Sequence, residues 1–270
     1  MQEHPSFVTM LDGNEATATD LSPLAFAGFA HFTAMQVRDG KVRGLDLHLT
    51  RLRTASMAMF SRARSDADIS RFLRMAVAAG PQNLSLTATV FSRHGEFTAQ
   101  APDDDPAILV RSFPASSGPG GPVALDIVHH QRALASIKQV GEPMKTYAMR
   151  QAARNGFDDA VFVDRQGRLA EASIWNLAFW DGQTVVWPKA DILHGVTMQI
   201  VERQLAKLGI RSRTEDISLA DAESFAGAAL MNSWTPGVAI RRIGSFEIPL
   251  SDTFKAMLHA AYQAEPAVRI

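Results

Sequence analysis

Prolines and glycines dominate the segment from Pro114 to Pro122, which reads Pro-Ala-Ser-Ser-Gly-Pro-Gly-Gly-Pro. Proline has no backbone N–H to donate, and glycine and serine favour irregular backbone, so neither a helix nor a strand can run through this segment. We therefore predict two lobes. A small N-terminal lobe covers residues 1–113, a linker covers 114–122, and a larger C-terminal lobe covers 123–270.

The apolar pattern of each lobe predicts mixed helices and strands, an α+β fold. In the first lobe Phe32–Val42 alternates around a turn at Asp39-Gly40, which indicates a hairpin. The other elements predicted there are a helix with Leu49, Leu52, Ala55 and Met59 on one stripe, a helix near 66–79, and the strands Leu84–Phe91 and Ala107–Phe113.

In the second lobe we predict a β-sheet core flanked by helices. Its predicted strands are Val123–Val128, Ala160–Val163, Leu169–Ser173, Leu177–Trp180 and Ala228–Asn232. Its predicted helices are Tyr147–Arg154, one from about Thr197 to Leu208, Leu219–Phe225 and Ser251–Gln263.

Composition excludes several classes of function. The formal charge of −1 gives no basic surface for nucleic acid or an anionic membrane, and the absence of cysteine excludes disulfides and thiolate chemistry. The N-terminus, Met1–Pro5, lacks the pattern of a signal peptide, and no apolar stretch reaches the ~20 residues of a membrane span. These features predict a soluble cytoplasmic protein.

Glu171 is the most informative acidic residue. In the strand that contains it, a period of two places Glu171 on the same face as Leu169, which we expect to point inward. A buried carboxylate needs a cationic partner. The alternative is an edge strand with Glu171 in solvent, and the residues alone leave both possibilities open.

Two places could bind an anion. Arg51 lies one turn after His48 on the first predicted helix, and Gly195-Val196-Thr197 stands where a long helix begins, with Thr197 as its predicted cap. The alternative is that Arg51 is an ordinary surface arginine and that Gly195-Val196-Thr197 is a helix start that binds no anion.

Lys138 and Lys145 are candidate nucleophiles toward a carbonyl, and both are predicted to precede the second lobe's first helix. We predict no metal site, because the adjacent His129 and His130 would point to opposite faces of a strand, and the acidic run Asp103–Asp105 is typical of a solvated loop.

Taken in order, these pieces resemble the class IV aminotransferase family, the fold-type IV pyridoxal-phosphate (PLP) enzymes. His48-Leu49-Thr50-Arg51-Leu52 is similar to the family's H-x-x-R-L, and the block from Gly156 to Leu177, with Glu171 and Asn176, resembles G-x-D-E-A…D-x-x-G-x-x-x-E-x-x-x-x-N-[LIV]. Leu193–Thr197 resembles L-x-G-I-T, and Asn232–Val238 occupies the place of the second phosphate loop. The family's Schiff-base lysine precedes its glutamate by thirty-odd residues, which selects Lys138 and leaves Lys145 in reserve.

The resemblance implies a two-lobed enzyme with its active site between the lobes, and a homodimer. Lys138 would hold PLP as a Schiff base and shuttle a proton, and Glu171 would pair with the pyridine nitrogen. The phosphate would be held by Arg51, by the N–H groups of Val196 and Thr197, and by the loop at Ser233 and Trp234. Phe32, Ala34 and Gln36 would wall the substrate pocket. Small molecules, an amino donor and a 2-oxo acid acceptor, are the partners implied.

The sequence also departs from the family pattern. Met198 replaces the arginine that usually follows L-x-G-I-T, and Asn232-Ser233-Trp234 is closer to the lyase members than to the branched-chain transaminases. A transaminase is the first prediction. A PLP lyase similar to aminodeoxychorismate lyase and a catalytically inactive binding protein on the same fold stay open as alternatives.

Overall fold

The computed structural model describes residues 7–25, 28–94, 97 and 104–270. Met1–Pro5 and Asp103, used above, lie outside the described residues. The strands are β1 Thr9–Leu11, β2 Asn14–Glu15, β3 Ala30–Val37, β4 Lys41–Arg43, β5 Leu84–Phe91, β6 Ala107–Pro114, β7 Val123–His129, β8 Asp159–Val163, β9 Leu169–Ala172, β10 Asn176–Trp180, β11 Val185–Pro188, β12 Ser212–Glu215, β13 Gly227–Met231, β14 Val238–Ile243, β15 Phe246–Glu247 and β16 Ala267–Arg269. The α-helices are α1 Ala18–Leu21, α2 Leu45–Phe60, α3 Asp66–Ala78, α4 Pro143–Arg154, α5 Val196–Lys207, α6 Leu219–Ala222 and α7 Asp252–Ala264.

The chain forms two compact units. The first contains the chain up to Ser116 together with Ile137–Glu142 and Ala267–Ile270, and the second contains Ser117–Ser136 and Pro143–Pro266. Residues 115–122 carry neither helix nor strand. The segment with Lys138 therefore groups with the first unit, while Lys145 belongs to the second; the lobe boundaries 1–113 and 123–270 stay a prediction.

The first unit is a five-stranded antiparallel sheet in the order β2-β1-β6-β5-β3, packed on α2 and α3. Asp39 and Gly40, both with positive φ, make the predicted turn, and Arg38 and Lys41 exchange backbone hydrogen bonds across it. Beyond the turn β4 leaves the hairpin and pairs with β16. Leu52, Ala55 and Met59 of α2 are buried in the core between sheet and helices, as their spacing predicts.

The second unit is a sheet in the order β12-β11-β10-β13-β14-β7-β8-β9, in which β9 also pairs with β10 and so closes a ring of strands. One apolar cluster fills the inside of this ring, with Leu125, Val161, Leu177 and Leu230 among its members. A second cluster lies between its outer face and α5 and α7. Within the described residues, no helix is long and apolar enough to cross a membrane.

Two helix predictions for this unit were wrong at their ends. The first helix begins at Pro143, not near Tyr147, because proline fits the first position of a helix; Lys145 therefore lies on α4 and not before it. The helix predicted at Leu219–Phe225 stops at Ala222. Ser218 and Asp221 form a capping box at its start, and β13 begins five residues after its last residue.

Candidate functional site

Glu171 is buried, and its partner is an arginine that sequence patterns did not indicate. Glu171 is 4% exposed, and its Oε1 accepts a hydrogen bond of 2.8 Å from Arg132 Nη1. Arg132, 7% exposed, also donates to the backbone oxygen of Ala135. Because β9 pairs with strands on both sides, the edge-strand alternative is excluded. Arg132 supplies the positive charge that a buried carboxylate requires.

The strict alternation used to place Glu171 does not hold along the whole strand. Leu169 and Ala172 both belong to the cluster inside the ring, although a period of two would place them on opposite faces. The pairing of β8 with β9 shifts register between Val161 and Val163, which accounts for the break in the pattern.

Asn176 connects Glu171 to the start of α5. It lies opposite Glu171 in the β9–β10 ladder, and its side-chain amide donates to the backbone oxygen of Leu193 at 2.7 Å. A Cβ at Gly195 would lie 2.0 Å from Asn176 Oδ1, so any side chain here would force this amide to move. Glu171 and the helix N-terminus are thus linked through Asn176, by strand pairing on one side and by its side chain on the other.

The first turn of α5 has no side-chain cap. Gly195 is the N-cap residue, and Val196 and Thr197 are the first two helical residues, both buried. The prediction that Thr197 caps the helix was wrong, because Gly195 takes that position. The Thr197 hydroxyl donates instead to the backbone oxygen of Asn232 at 2.8 Å. Backbone N–H groups at such an end, with the positive end of the helix dipole, favour an anion.

The loop that begins at Asn232 is the next element of this site. The Asn232 side chain accepts a hydrogen bond of 2.8 Å from the backbone N–H of Trp234, with Ser233 between them. Trp234 is 40% exposed, and its ring packs edge-to-face on Trp175, with centroids 5.7 Å apart. Trp175 Nε1 donates to Asp159, and burial raises the pKa of that carboxyl. The second unit thus brings together Glu171, Val196, Thr197, Ser233 and Trp234.

Arg51 and His48 lie in the first unit, one turn apart on α2. Burial lowers the pKa of Arg51 to about 10, which still leaves the guanidinium charged at neutral pH. The His48 ring is fully enclosed, and its Nδ1 is hydrogen-bonded to Thr33 Oγ1 at 2.6 Å. A guanidinium that is only partly exposed has lost part of its hydration, which favours an anionic ligand.

Lys138 lies beside the strand that carries the predicted substrate wall. Its Nζ is 4.8 Å from the centroid of the Phe32 ring. Phe32, Ala34 and Gln36 are half-buried and alternate with fully buried neighbours, so they share one face of β3. Gln36 is held in place there, because its side chain donates to Ser85 and accepts from Arg38 and from the backbone N–H of Ser116.

Two buried histidines of the first unit predict a pH-dependent stability. Burial lowers the pKa of His31 to about 4, and burial together with the charge of Arg51 lowers the pKa of His48 to about 3. Both then bind protons more readily in the unfolded chain, so stability is lost as the pH falls below about 6.5. We expect each histidine to remove about 2 kcal/mol of unfolding free energy between about pH 7.5 and about pH 5.

Urea unfolding at several pH values measures this loss. His31→Gln should reduce the loss by about 2 kcal/mol, whereas replacing the exposed His94, which pairs with Asp104, should leave it unchanged. An identical pH dependence in wild type and in the His31 variant would contradict the prediction.

Sequence comparison identifies the family. Residues 30–243 match the pattern of the amino-transferase class IV family, which is most of the chain. The chain belongs to this family. The motifs that predicted this family lie within the matched residues; they contain Arg51, Glu171, Asn176 and Thr197.

Individual relatives of this class IV chain are distant. A probable branched-chain-amino-acid aminotransferase of Rickettsia felis is 27% identical over 106 residues, which cover 39% of this chain and 36% of that protein. The match thus spans about a third of the relative's length. A counterpart in Rickettsia bellii is 29% identical over 108 residues.

Solved structures confirm the predicted fold class. The branched-chain aminotransferase of Thermoproteus uzoniensis, solved with norvaline, aligns with a TM-score of 0.84 at 18% identity, over 96% of this chain and 94% of that one. A Legionella pneumophila protein assigned as 4-amino-4-deoxychorismate lyase aligns with a TM-score of 0.78 at 17% identity, over 95% and 94%. Transaminase and lyase members therefore share this fold.

Proposed function

We propose that the protein is a PLP-dependent aminotransferase that moves an amino group between an amino acid or amine and a 2-oxo acid. The observation that carries the proposal is the connected set in the second unit, within the residues that match the family. There Glu171, whose side chain is buried, pairs with Asn176 in the β9–β10 ladder, and the Asn176 side chain meets Leu193 and Gly195 at the uncapped start of α5.

The side chains present fit PLP chemically. The cofactor has an aldehyde, a pyridine nitrogen and a phosphate dianion, and these call for an amine, a carboxylate and a group of cationic or N–H donors. The amine is offered by Lys138, the carboxylate by Glu171 and the cation by Arg51. The first turn of α5 offers the N–H donors. Bound PLP would supply an electron sink for the bonds at the substrate Cα.

Each residue then has a defined task. Lys138 would bind the cofactor through Nζ and move a proton at the substrate Cα. Glu171 would accept the hydrogen bond of a protonated pyridine nitrogen; Arg132 occupies Oε1, and a carboxylate has a second oxygen for this bond. The phosphate would be held by Arg51, Val196, Thr197, Ser233 and Trp234. Phe32, Ala34 and Gln36 form the substrate wall on β3.

A panel of D- and L-amino acids and amines tests the activity. Each candidate donor is added to the holo-protein, and the absorbance of bound PLP is followed as the amino group is transferred to it. A second addition, of a 2-oxo acid, should restore the original spectrum. A purified protein that stays colourless after PLP is added would contradict the proposal and favour the inactive binding protein.

The lyase stays the second candidate because of one feature of this chain. The place of the family's threonine-rich loop is taken in this chain by Asn232, Ser233 and Trp234. The Asx turn at Asn232 and the contact of Trp234 with Trp175 hold this loop in place. Release of pyruvate from an aminodeoxychorismate-like substrate without any 2-oxo acid would favour the lyase. Strict dependence on an acceptor would favour the transaminase.

A cytoplasmic location and a homodimer are also part of the proposal, on the basis of the family resemblance.

Replacing Arg51 tests the phosphate contact. We expect Arg51→Ala to weaken PLP binding by about 2–3 kcal/mol, or tens- to about a hundred-fold, because it removes a charge-assisted contact to a dianion. The control is Arg53→Ala, since Arg53 is on the same helix but exposed and paired with Asp66. Equilibrium titration of each apo-variant with PLP is the measurement, and unchanged affinity in Arg51→Ala would remove this residue from the site.

A further inference from the structure

The segment that carries Lys138 lies along the edge of β3 that does not pair with β5. The backbone N–H of Phe32 donates to Lys138 O at 2.9 Å, and that of Val140 donates to Ala30 O at 2.8 Å. His31 and Gln139 form an antiparallel bridge between these two bonds. Lys138 is therefore fixed by strand pairing, which places its backbone more rigidly than a loop would.

This pairing ends at a contact between two glycines. Gly141 N–H donates to Gly28 O at 3.1 Å, and a Cβ added at Gly141 would lie 2.6 Å from Gly28 Cα and 2.7 Å from its oxygen. The obstacle is backbone, which cannot rotate away as a side chain can. Gly141 does not have a positive φ, so the reason for glycine here is space and not backbone conformation.

We propose that Gly141, through its contact with Gly28, is a positioning residue for Lys138. The contact lets the segment approach β3 closely enough for the bonds at Ala30 and Phe32 to form, and these bonds set where Nζ lies over the Phe32 ring. The inference rests on the proposed function of Lys138. It adds a requirement on two glycines that are not among the residues proposed to hold the cofactor or the substrate.

Gly141→Ala is the test, and Gly120→Ala is its matched control. A Cβ at Gly120 meets nothing within 4 Å, and this glycine also lacks a positive φ. Because ordinary contact distances begin near 3.4 Å, the alanine must move the segment by about an ångström, and such a misplacement can slow a reaction about a hundred-fold. We expect PLP to attach to Lys138 about a hundred-fold more slowly in Gly141→Ala, measured by borohydride trapping and peptide mapping.

Two further readouts separate positioning from loss of fold or of function. In the apo-proteins, reductive methylation of Lys138 with formaldehyde should be several-fold faster in Gly141→Ala than in Gly120→Ala, since Nζ leaves the Phe32 ring. With PLP bound, the pH midpoint of the cofactor's absorbance should shift in Gly141→Ala alone. Wild-type values for attachment, methylation and midpoint in a folded Gly141→Ala would overturn the inference.

The methylation readout needs no cofactor, so it still decides the inference if wild type fails to bind PLP and the proposed function falls. If Gly141→Ala does not fold, hydrogen exchange in the wild-type apo-protein decides. The N–H groups of Val140 and Gly141 should be protected by their bonds to Ala30 and Gly28. Exchange of both at the rate of an open chain would show that the segment is not docked and would overturn the inference.

Discussion

Lys138→Ala should give a folded protein that binds PLP without a covalent bond and transfers amino groups about a thousand-fold more slowly, or worse. The variant loses the amine that bonds the aldehyde and also the group that moves the proton at the substrate Cα, and proton transfer by a positioned side chain alone is worth about 10²–10⁴-fold. Lys138 Nζ contacts the Phe32 ring and is not part of an apolar core cluster, so the fold should survive.

Lys145→Ala is the control for this experiment. Lys145 lies in the first turn of α4 and belongs to the second unit, whereas Lys138 belongs to the first. After borohydride reduction, peptide mapping should find the pyridoxyl group on Lys138 in wild type and in Lys145→Ala. A label on Lys145 in the wild-type protein, or normal turnover in Lys138→Ala, would reverse the assignment of the two lysines.

Local sequence signals predicted the regular elements well. In α3, Ser65 caps the helix, and the residues buried at helical spacing are Ile69, Phe72 and Ala76. Residues within the helix and next to it therefore determine both where it starts and which face points inward. The strand Leu84–Phe91 was predicted with its observed ends, because buried and half-buried residues alternate from Leu84 to Val90.

Elements that depend on distant partners were missed. β12, Ser212–Glu215, is polar and largely exposed, and becomes a strand only by pairing in parallel with β11. β14 was not predicted either, and it joins β13 to β7 in the closed ring. No periodicity within these segments specifies such pairings, which are set by the three-dimensional order of the strands.

In the candidate site, too, some residues could be predicted from the sequence and others depend on distant partners. Glu171, Asn176, Gly195, Thr197 and Asn232 could be picked out because they recur at family spacing, and contacts in the second unit connect them. Arg132 could not, since it lies between β7 and α4 with no repeating pattern around it. The need for a cation beside Glu171 was deducible from burial, but only the fold identifies which arginine meets it.

Glu171→Gln should lower both stability and turnover, and the structure separates the two effects. The amide keeps the shape of the carboxylate but removes the negative charge that Arg132 Nη1 meets at 2.8 Å. Removing one partner of a buried pair costs about 3–5 kcal/mol, and an amide that still accepts the Arg132 hydrogen bond should fall near the lower end. Turnover should fall about a hundred-fold, or about 3 kcal/mol of barrier, because an amide cannot stabilise a protonated pyridine nitrogen.

Arg132→Met distinguishes a structural glutamate from a catalytic one. We expect Arg132→Met alone to be destabilised by about 3–5 kcal/mol, and the double variant with Glu171→Gln to regain much of that loss because both charges of the pair are then removed together. Urea unfolding of the four proteins gives the coupling energy, and half-reaction rates with a saturating amino donor give the chemistry. If Glu171 serves only to neutralise Arg132, turnover in the double variant should recover together with stability. We expect stability to recover and turnover to stay about a hundred-fold low, since the pyridine nitrogen still lacks its carboxylate.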